Sequence, residues 1–167
     1  MSKTAIILAL ILSIQLLAAC GGAAGNVNRA NTNTAAASNS DPASEGIKDN
    51  TEEFATIAKL PFPPEEVTWK ETSAGDNKKL LAVLRFTPDD SKKIVERASR
   101  IKAGETVSLD SEKWFPPELV AQSDLNGDDN ISATAYPADE FYHPPYTEGR
   151  ISRVDNTEFF VLELTAK

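Results

Sequence analysis

KLLAVLRFTPDDSKKIVERASRIK, residues 79–102, changes its hydrophobic period midway. Up to Phe86 the apolar side chains fall on both sides of an extended chain, with Leu80, Ala82, Leu84 and Phe86 opposite Leu81 and Val83. A strand apolar on both faces belongs inside a sheet rather than at its edge. From Thr87 onward the period is helical. Thr87 suits the N-cap, Pro88 suits the first helical position, and Asp89 and Asp90 face the positive end of the helix dipole. Ile94, Val95, Ala98 and Ile101 then recur at helical spacing. Lys102 falls in the last turn and Gly104 suits a left-handed stop. The stretch predicts a central strand over 79–86 and a helix over about 88–102.

The flanking segments extend this pattern. Thr51-Glu52-Glu53 opens a short helix with Phe54, Ile57 and Ala58 on one face, ended by Pro61, Pro63 and Pro64. Residues 65–73 read as a strand with Val67 and Trp69 on one side, and Ala74-Gly75-Asp76-Asn77 as a turn. Further short strands are expected at 105–109, 113–121, 131–136, 149–154 and 157–165, with Asp155-Asn156 as a tight turn between the last two. The expected class is α+β: an antiparallel sheet of about five or six strands packed on one main helix, about 88–102. A weak internal repeat of hairpins accompanies it. Phe62-Pro63-Pro64-Glu65-Glu66-Val67 returns as Phe115-Pro116-Pro117-Glu118-Leu119-Val120, and Gly104 to Ala121 aligns with Gly149 to Ala166 at an offset of 45.

Charge and composition narrow the function. Lys plus Arg number 17 against 25 Asp plus Glu, for a net charge of −8. Such an acidic chain is unsuited to phosphate-backbone binding, so no nucleic acid is expected as a partner. One Cys and one His exclude an intrachain disulfide framework and a Cys/His zinc site. All twelve aromatics lie within 51–167, which marks a single small globular domain. Residues 21–40 hold six Ala, five Asn and three Gly and no aromatic. Such a segment buries too little apolar surface to offset its ordering entropy, and 20–50 is expected to form a disordered tether spanning roughly 30 Å.

The N-terminus carries an address. Lys3 precedes an apolar run from Ala5 to Ala18, which ends in small residues. As a helix its fourteen residues would span roughly 21 Å, short of the ~30 Å hydrocarbon core. The run closes as Leu17-Ala18-Ala19-Cys20, which resembles the lipobox of bacterial lipoproteins. That resemblance implies that 1–19 is a signal peptide removed by signal peptidase II. It also implies that lipid-modifying enzymes attach a diacylglycerol and an N-acyl chain, commonly palmitate, to Cys20. Several acyl chains anchor a protein to a membrane far more firmly than one. Gly21 stands where an Asp often marks inner-membrane retention in that family. The expected location is therefore the cell envelope, with the outer membrane, facing periplasm or surface, favoured.

Three further constellations bear on chemistry. Asp124-Leu125-Asn126-Gly127-Asp128-Asp129-Asn130-Ile131 resembles the calcium loop of EF-hands and dockerins. Asp124, Asn126 and Asp128 fall at its first, third and fifth ligand positions, and Asn130 at its carbonyl position. Asp129 replaces the turn glycine and Ala135 replaces the bidentate acid, so an Asp/Asn/Gly turn is the plainer reading and calcium, bound weakly, the alternative. His143 lies just after Asp139 and Glu140, and an imidazole–carboxylate pair suits general acid–base work in a small envelope hydrolase. Three aromatic–proline patches are the remaining candidates: Phe62-Pro63-Pro64, Trp114-Phe115-Pro116-Pro117 and Tyr142-His143-Pro144-Pro145-Tyr146. Rigid loops that present aromatics lose little entropy on docking, which makes Trp114, Phe115, Tyr142 and Tyr146 binding candidates. The alternative is that these rings cap the core while the prolines blunt sheet edges. The favoured function is a non-catalytic binding or assembly module for a protein, peptide or glycan partner in the envelope.

Overall fold

A computed structural model describes residues 46–166, apart from 76, 127 and 128, with the backbone alone for 125 and 126. The expected signal peptide, Cys20 and most of the expected tether lie outside the described residues. The elements in chain order are α1 (Thr51–Phe54), β1 (Glu66–Ala74), β2 (Asn77–Arg85), α2 (Pro88–Ile101), β3 (Glu105–Asp110), α3 (Pro117–Asn126), β4 (Asn130–Pro137), β5 (Glu148–Val154) and β6 (Phe159–Thr165), with a 3₁₀ turn at Asp139–Phe141. The six strands form one antiparallel sheet in the order β1-β2-β6-β5-β4-β3. This is the α+β class expected from the sequence, and β2 lies between β1 and β6 as its two apolar faces require.

Local chemistry shapes the elements. The Thr87 hydroxyl accepts from Asp90 N–H at 3.2 Å and caps α2, a contact of about 1 kcal/mol in helices generally. Asn50 caps α1 in the same way, accepting from Glu53 N–H at 2.8 Å. Gly75 at φ 63° turns β1 into β2, and Asn156 at φ 60° turns β5 into β6. Gly104 does not adopt the left-handed stop expected of it, since α2 ends in an extended Lys102. Its missing Cβ instead leaves room for neighbours, because a Cβ there would lie 2.6 Å from both Thr134 and the Tyr136 ring.

The expected strand at 113–121 is a helix. Pro117 opens α3, Glu118 sits in its first turn, and Leu119 and Ser123 are buried one turn apart. The two similar Phe-Pro-Pro-Glu stretches obscured this. After the first, Val67 and Trp69 alternate inward along a strand; after the second, Leu119 and Ser123 recur at a spacing of four.

Each face of the sheet has its own core. On the front, cross-strand rows such as Trp69, Ala82, Leu162 and Ile151 pack with Phe54, Ile94, Phe141 and Tyr146. On the back, Val83, Val161, Val154, Ala133 and Ile131 pack with Leu119 of α3 and with Phe115. The chain entering the domain is stitched to the outer edge of β1. Lys48 exchanges backbone hydrogen bonds with Trp69 at 2.8 and 2.9 Å, and its ammonium lies 4.7 Å from the centre of the indole ring.

Gly149 lets β5 and β6 approach closely, since a Cβ there would lie 2.1 Å from the Glu163 carbonyl oxygen. Backbone cannot yield as a flexible side chain does. Gly149→Ala is expected to lower stability by about 1–3 kcal/mol in denaturant unfolding; a wild-type midpoint would contradict this packing.

Candidate functional site

Strand register divides the back face in two. The row Thr68, Val83, Val161, Ser152 and Ala135 borders the apolar half, where α3 sits. The next row reads Lys70, Leu81, Glu163, Arg150 and Pro137, and the last Thr72, Lys79, Thr165 and Glu148. These two rows lie beyond the back core, apart from the half-buried Leu81 that packs against it. They line a groove made of successive hollows. One of about 330 Å³ is bordered by Lys70, Thr72, Lys79 and Leu81, one of about 180 Å³ by Phe115, Arg150 and Val161, and one of about 280 Å³ by Glu105, Val107 and Tyr136. Leu81, Glu112 and Glu163 border both of the first two, and Arg150 borders both of the last two.

The groove carries charges of both signs, mostly paired. Arg150 is ion-paired with Glu163, Lys70 with Glu112 at 3.0 Å, and Lys102 with Glu105 at 2.7 Å. The Lys102 hydrogen bond holds the Glu105 carboxyl below the usual carboxylate range. Lys79 differs. Among the described residues its ammonium has no carboxylate partner, and the Thr72 and Thr165 hydroxyls beside it in the row have no hydrogen bond.

A strap between β3 and α3 crosses this face. Glu112 Oε2 accepts from Lys70 Nζ at 3.0 Å and from Trp114 Nε1 at 3.2 Å. The same ammonium lies 5.2 Å from the Trp114 ring centre. Trp114, half-buried, packs edge-on against Phe115 with ring centres 4.8 Å apart. The indole thus fastens the strap to β1 at the rim of the groove.

The other candidates are dispersed. Phe115 is buried in the back core and Tyr146 in the front core. Tyr142 packs against the front core and donates to the Gly149 carbonyl at 3.3 Å; its burial pushes the phenol up. Asp124 is exposed in the last turn of α3, and Asn126 ends that helix. Asn130 begins β4 opposite Asp110, and Asp128 lies outside the described residues. Among the described residues no three His, Cys, Asp or Glu side chains are grouped to hold a metal. Glu140 is ion-paired with Arg97 of α2 at 2.6 Å. His143 Nδ1 lies 3.0 Å from the Pro144 carbonyl, and Asp139 is exposed.

Lys70, Lys79, Glu112, Arg150 and Glu163 escaped the reading of the sequence. Glu112 lies in the strap, where no strand period applies, and for the four strand residues the only local signal is polarity at alternate positions. What aligns them is register, which a single strand does not display. Comparison of the chain with protein-family models, with curated proteins and with solved structures found no match.

Two tests follow from this geometry. Glu112→Ala removes the acceptor that Lys70 and Trp114 share, so the indole N–H resonance of Trp114 is expected to shift while that of the buried Trp69 stays in place. An unmoved Trp114 signal would mean that Glu112 does not fasten the strap. Tyr146 Oη donates to Glu71 Oε1 at 2.5 Å, and burial, the largest cause, together with that carboxylate raises the phenol far above its ordinary 10.0. The unfolded chain releases this proton first as pH rises. The stabilisation is therefore complete below pH 10.0 and is lost as pH climbs from there toward the folded value. Tyr146→Phe is expected to flatten the fall in unfolding free energy in that alkaline range.

Proposed function

We propose that this chain is a membrane-anchored cell-envelope lipoprotein whose domain is a non-catalytic binding module. A polypeptide segment of an envelope partner docks in the groove on the open half of the back face. The observation that carries the docking reading is the groove itself, which offers paired charges of alternating sign along one row, from Lys70 through Glu163 to Arg150. A partner bearing charges of both signs complements that row better than a neutral glycan does. Lys70 and Arg150 are held by Glu112 and Glu163 in ion pairs, which keep these side chains of the groove in one arrangement before a partner arrives. Leu81 supplies an apolar floor between the charges.

The anchor reading rests on Leu17-Ala18-Ala19-Cys20 and the apolar run before it. No helix among the described residues is long and apolar enough to cross a membrane. The attachment this proposal invokes is the lipids on Cys20. Gly21 favours the outer membrane over the inner one. Signal peptidase II and the lipid-modifying enzymes are then partners during maturation only.

The test is photocross-linking in the native envelope, with the reactive side chain at position 72 in the groove or at position 92 on the exposed face of α2. A single stoichiometric protein is expected to be trapped from position 72, absent from position 92, and lost with Cys20→Ala. Equal capture from both positions, or none, would overturn the docking reading. Capture from position 72 that survives Cys20→Ala would overturn the requirement for the anchor while supporting the groove.

A further inference from the structure

We infer that the β1–β2–β6 end of the groove is a subsite for one carboxylate of the docked partner, with Lys79 as its counter-charge and the Thr72 and Thr165 hydroxyls as flanking donors. This rests on the reading of the groove as a docking surface and names the group recognised at one end of it.

Register brings the three residues together. Thr72 is directly opposite Lys79, and Lys79 directly opposite Thr165. Opposed residues on neighbouring antiparallel strands project to the same face about 5 Å apart. All three border the hollow of about 330 Å³, together with Leu81 and Lys70. That volume is at the small end for ligand sites, the size of one charged group and a short apolar body.

Charge accounting singles out Lys79. The groove's other cations are engaged: Lys70 with Glu112, Arg150 with Glu163, and Lys102 with Glu105. Glu148, in the same row, stands two strands from Lys79, or about 10 Å. In a chain of net charge −8, no carboxylate among the described residues lies on this ammonium beside two hydroxyls. A carboxylate is the anion that fits. It carries one charge and accepts from several donors at once, and one ammonium with two hydroxyls supplies three such directions. Phosphate brings a second charge, and among the described residues the other cation bordering this hollow, Lys70, is already held by Glu112. Leu81 gives the carbon beside the carboxylate an apolar surface to rest on.

The carboxylate has two sources in a polypeptide, a chain terminus or an Asp or Glu side chain, and the probes separate them. The mature lipidated chain in detergent micelles is titrated with N-acetyl-leucine, with N-acetyl-glutamic acid amide, with N-acetyl-leucinamide and with inorganic phosphate, and the amide resonances of residues 72, 79 and 165 are followed. Saturable shifts are expected with one or both carboxylates and none with leucinamide. A response to N-acetyl-leucine alone assigns a chain terminus; a response to the glutamic acid derivative alone assigns a side chain. Lys79→Gln is expected to weaken binding about tenfold, with an unchanged unfolding midpoint because the Lys79 side chain is exposed. Lys79→Arg is expected to retain binding. No shift with either carboxylate, equal binding by Lys79→Gln, or tighter binding of phosphate would overturn the inference. Cross-linking from position 72 separates the two levels. Capture of a partner with a null titration sinks the subsite and leaves the docking surface standing; a positive titration without capture does the reverse.

Discussion

Seven opposed pairs between β2 and β6, from Lys79↔Thr165 to Arg85↔Phe159, join a hairpin made early in the chain to a meander made at its end. Without them β1–β2 would be an isolated two-stranded ribbon, which is marginal in water. The pairing closes a long loop whose entropy cost falls before any contact rewards it. What offsets it is apolar on both faces. Leu80, Ala82 and Leu84 meet Leu164, Leu162 and Phe160 on the front, while Val83 meets Val161 on the back. Each of these side chains is nearly or wholly excluded from solvent, and burial of that kind contributes about 1.5–3 kcal/mol for a large aliphatic residue.

Everything that positions the groove depends on that junction. Because β2 and β6 are neighbours, Lys70, Leu81, Glu163 and Arg150 come from four strands into one row. The back core ends where α3 and Phe115 end, so the rows beyond it carry charge and hydroxyl groups rather than Val and Ile. The strap is held across this boundary by a carboxylate that serves two donors, one from β1 and one from its own indole. Trp114 packs against the back core and, through Glu112, shares a carboxylate with Lys70 of the groove, while Phe115 lies in the core behind the sheet and Tyr146 in the core in front.

Much of the fold was legible locally. The central strand announced itself through apolar residues on both sides, and α2 through Thr87-Pro88-Asp89-Asp90, because capping and dipole effects act within one helical turn. Gly75 and Asn156 marked their turns for the same short-range reason. The segment 113–121 was misread because its Pro-Pro-Glu start also precedes β1, and the outcome hangs on residues further on, where Leu119 and Ser123 find burial at helical spacing. The groove was not legible at all, since its charged strand residues look like ordinary solvated positions and Glu112 lies in a connecting segment.

By itself the sequence determined the class of fold, the place and order of most elements and the acidic balance of the chain. It also carries the signal-like N-terminus with its lipobox-like ending. These follow from composition, periodicity and capping, which depend on neighbours in the chain. Tertiary structure alone decided which strands adjoin, which residues share a row, and which cation of the groove has no carboxylate on it among the described residues. The physical reason is that register between β2 and β6 is chosen by burial on two faces at once, and that choice is made between residues about eighty positions apart.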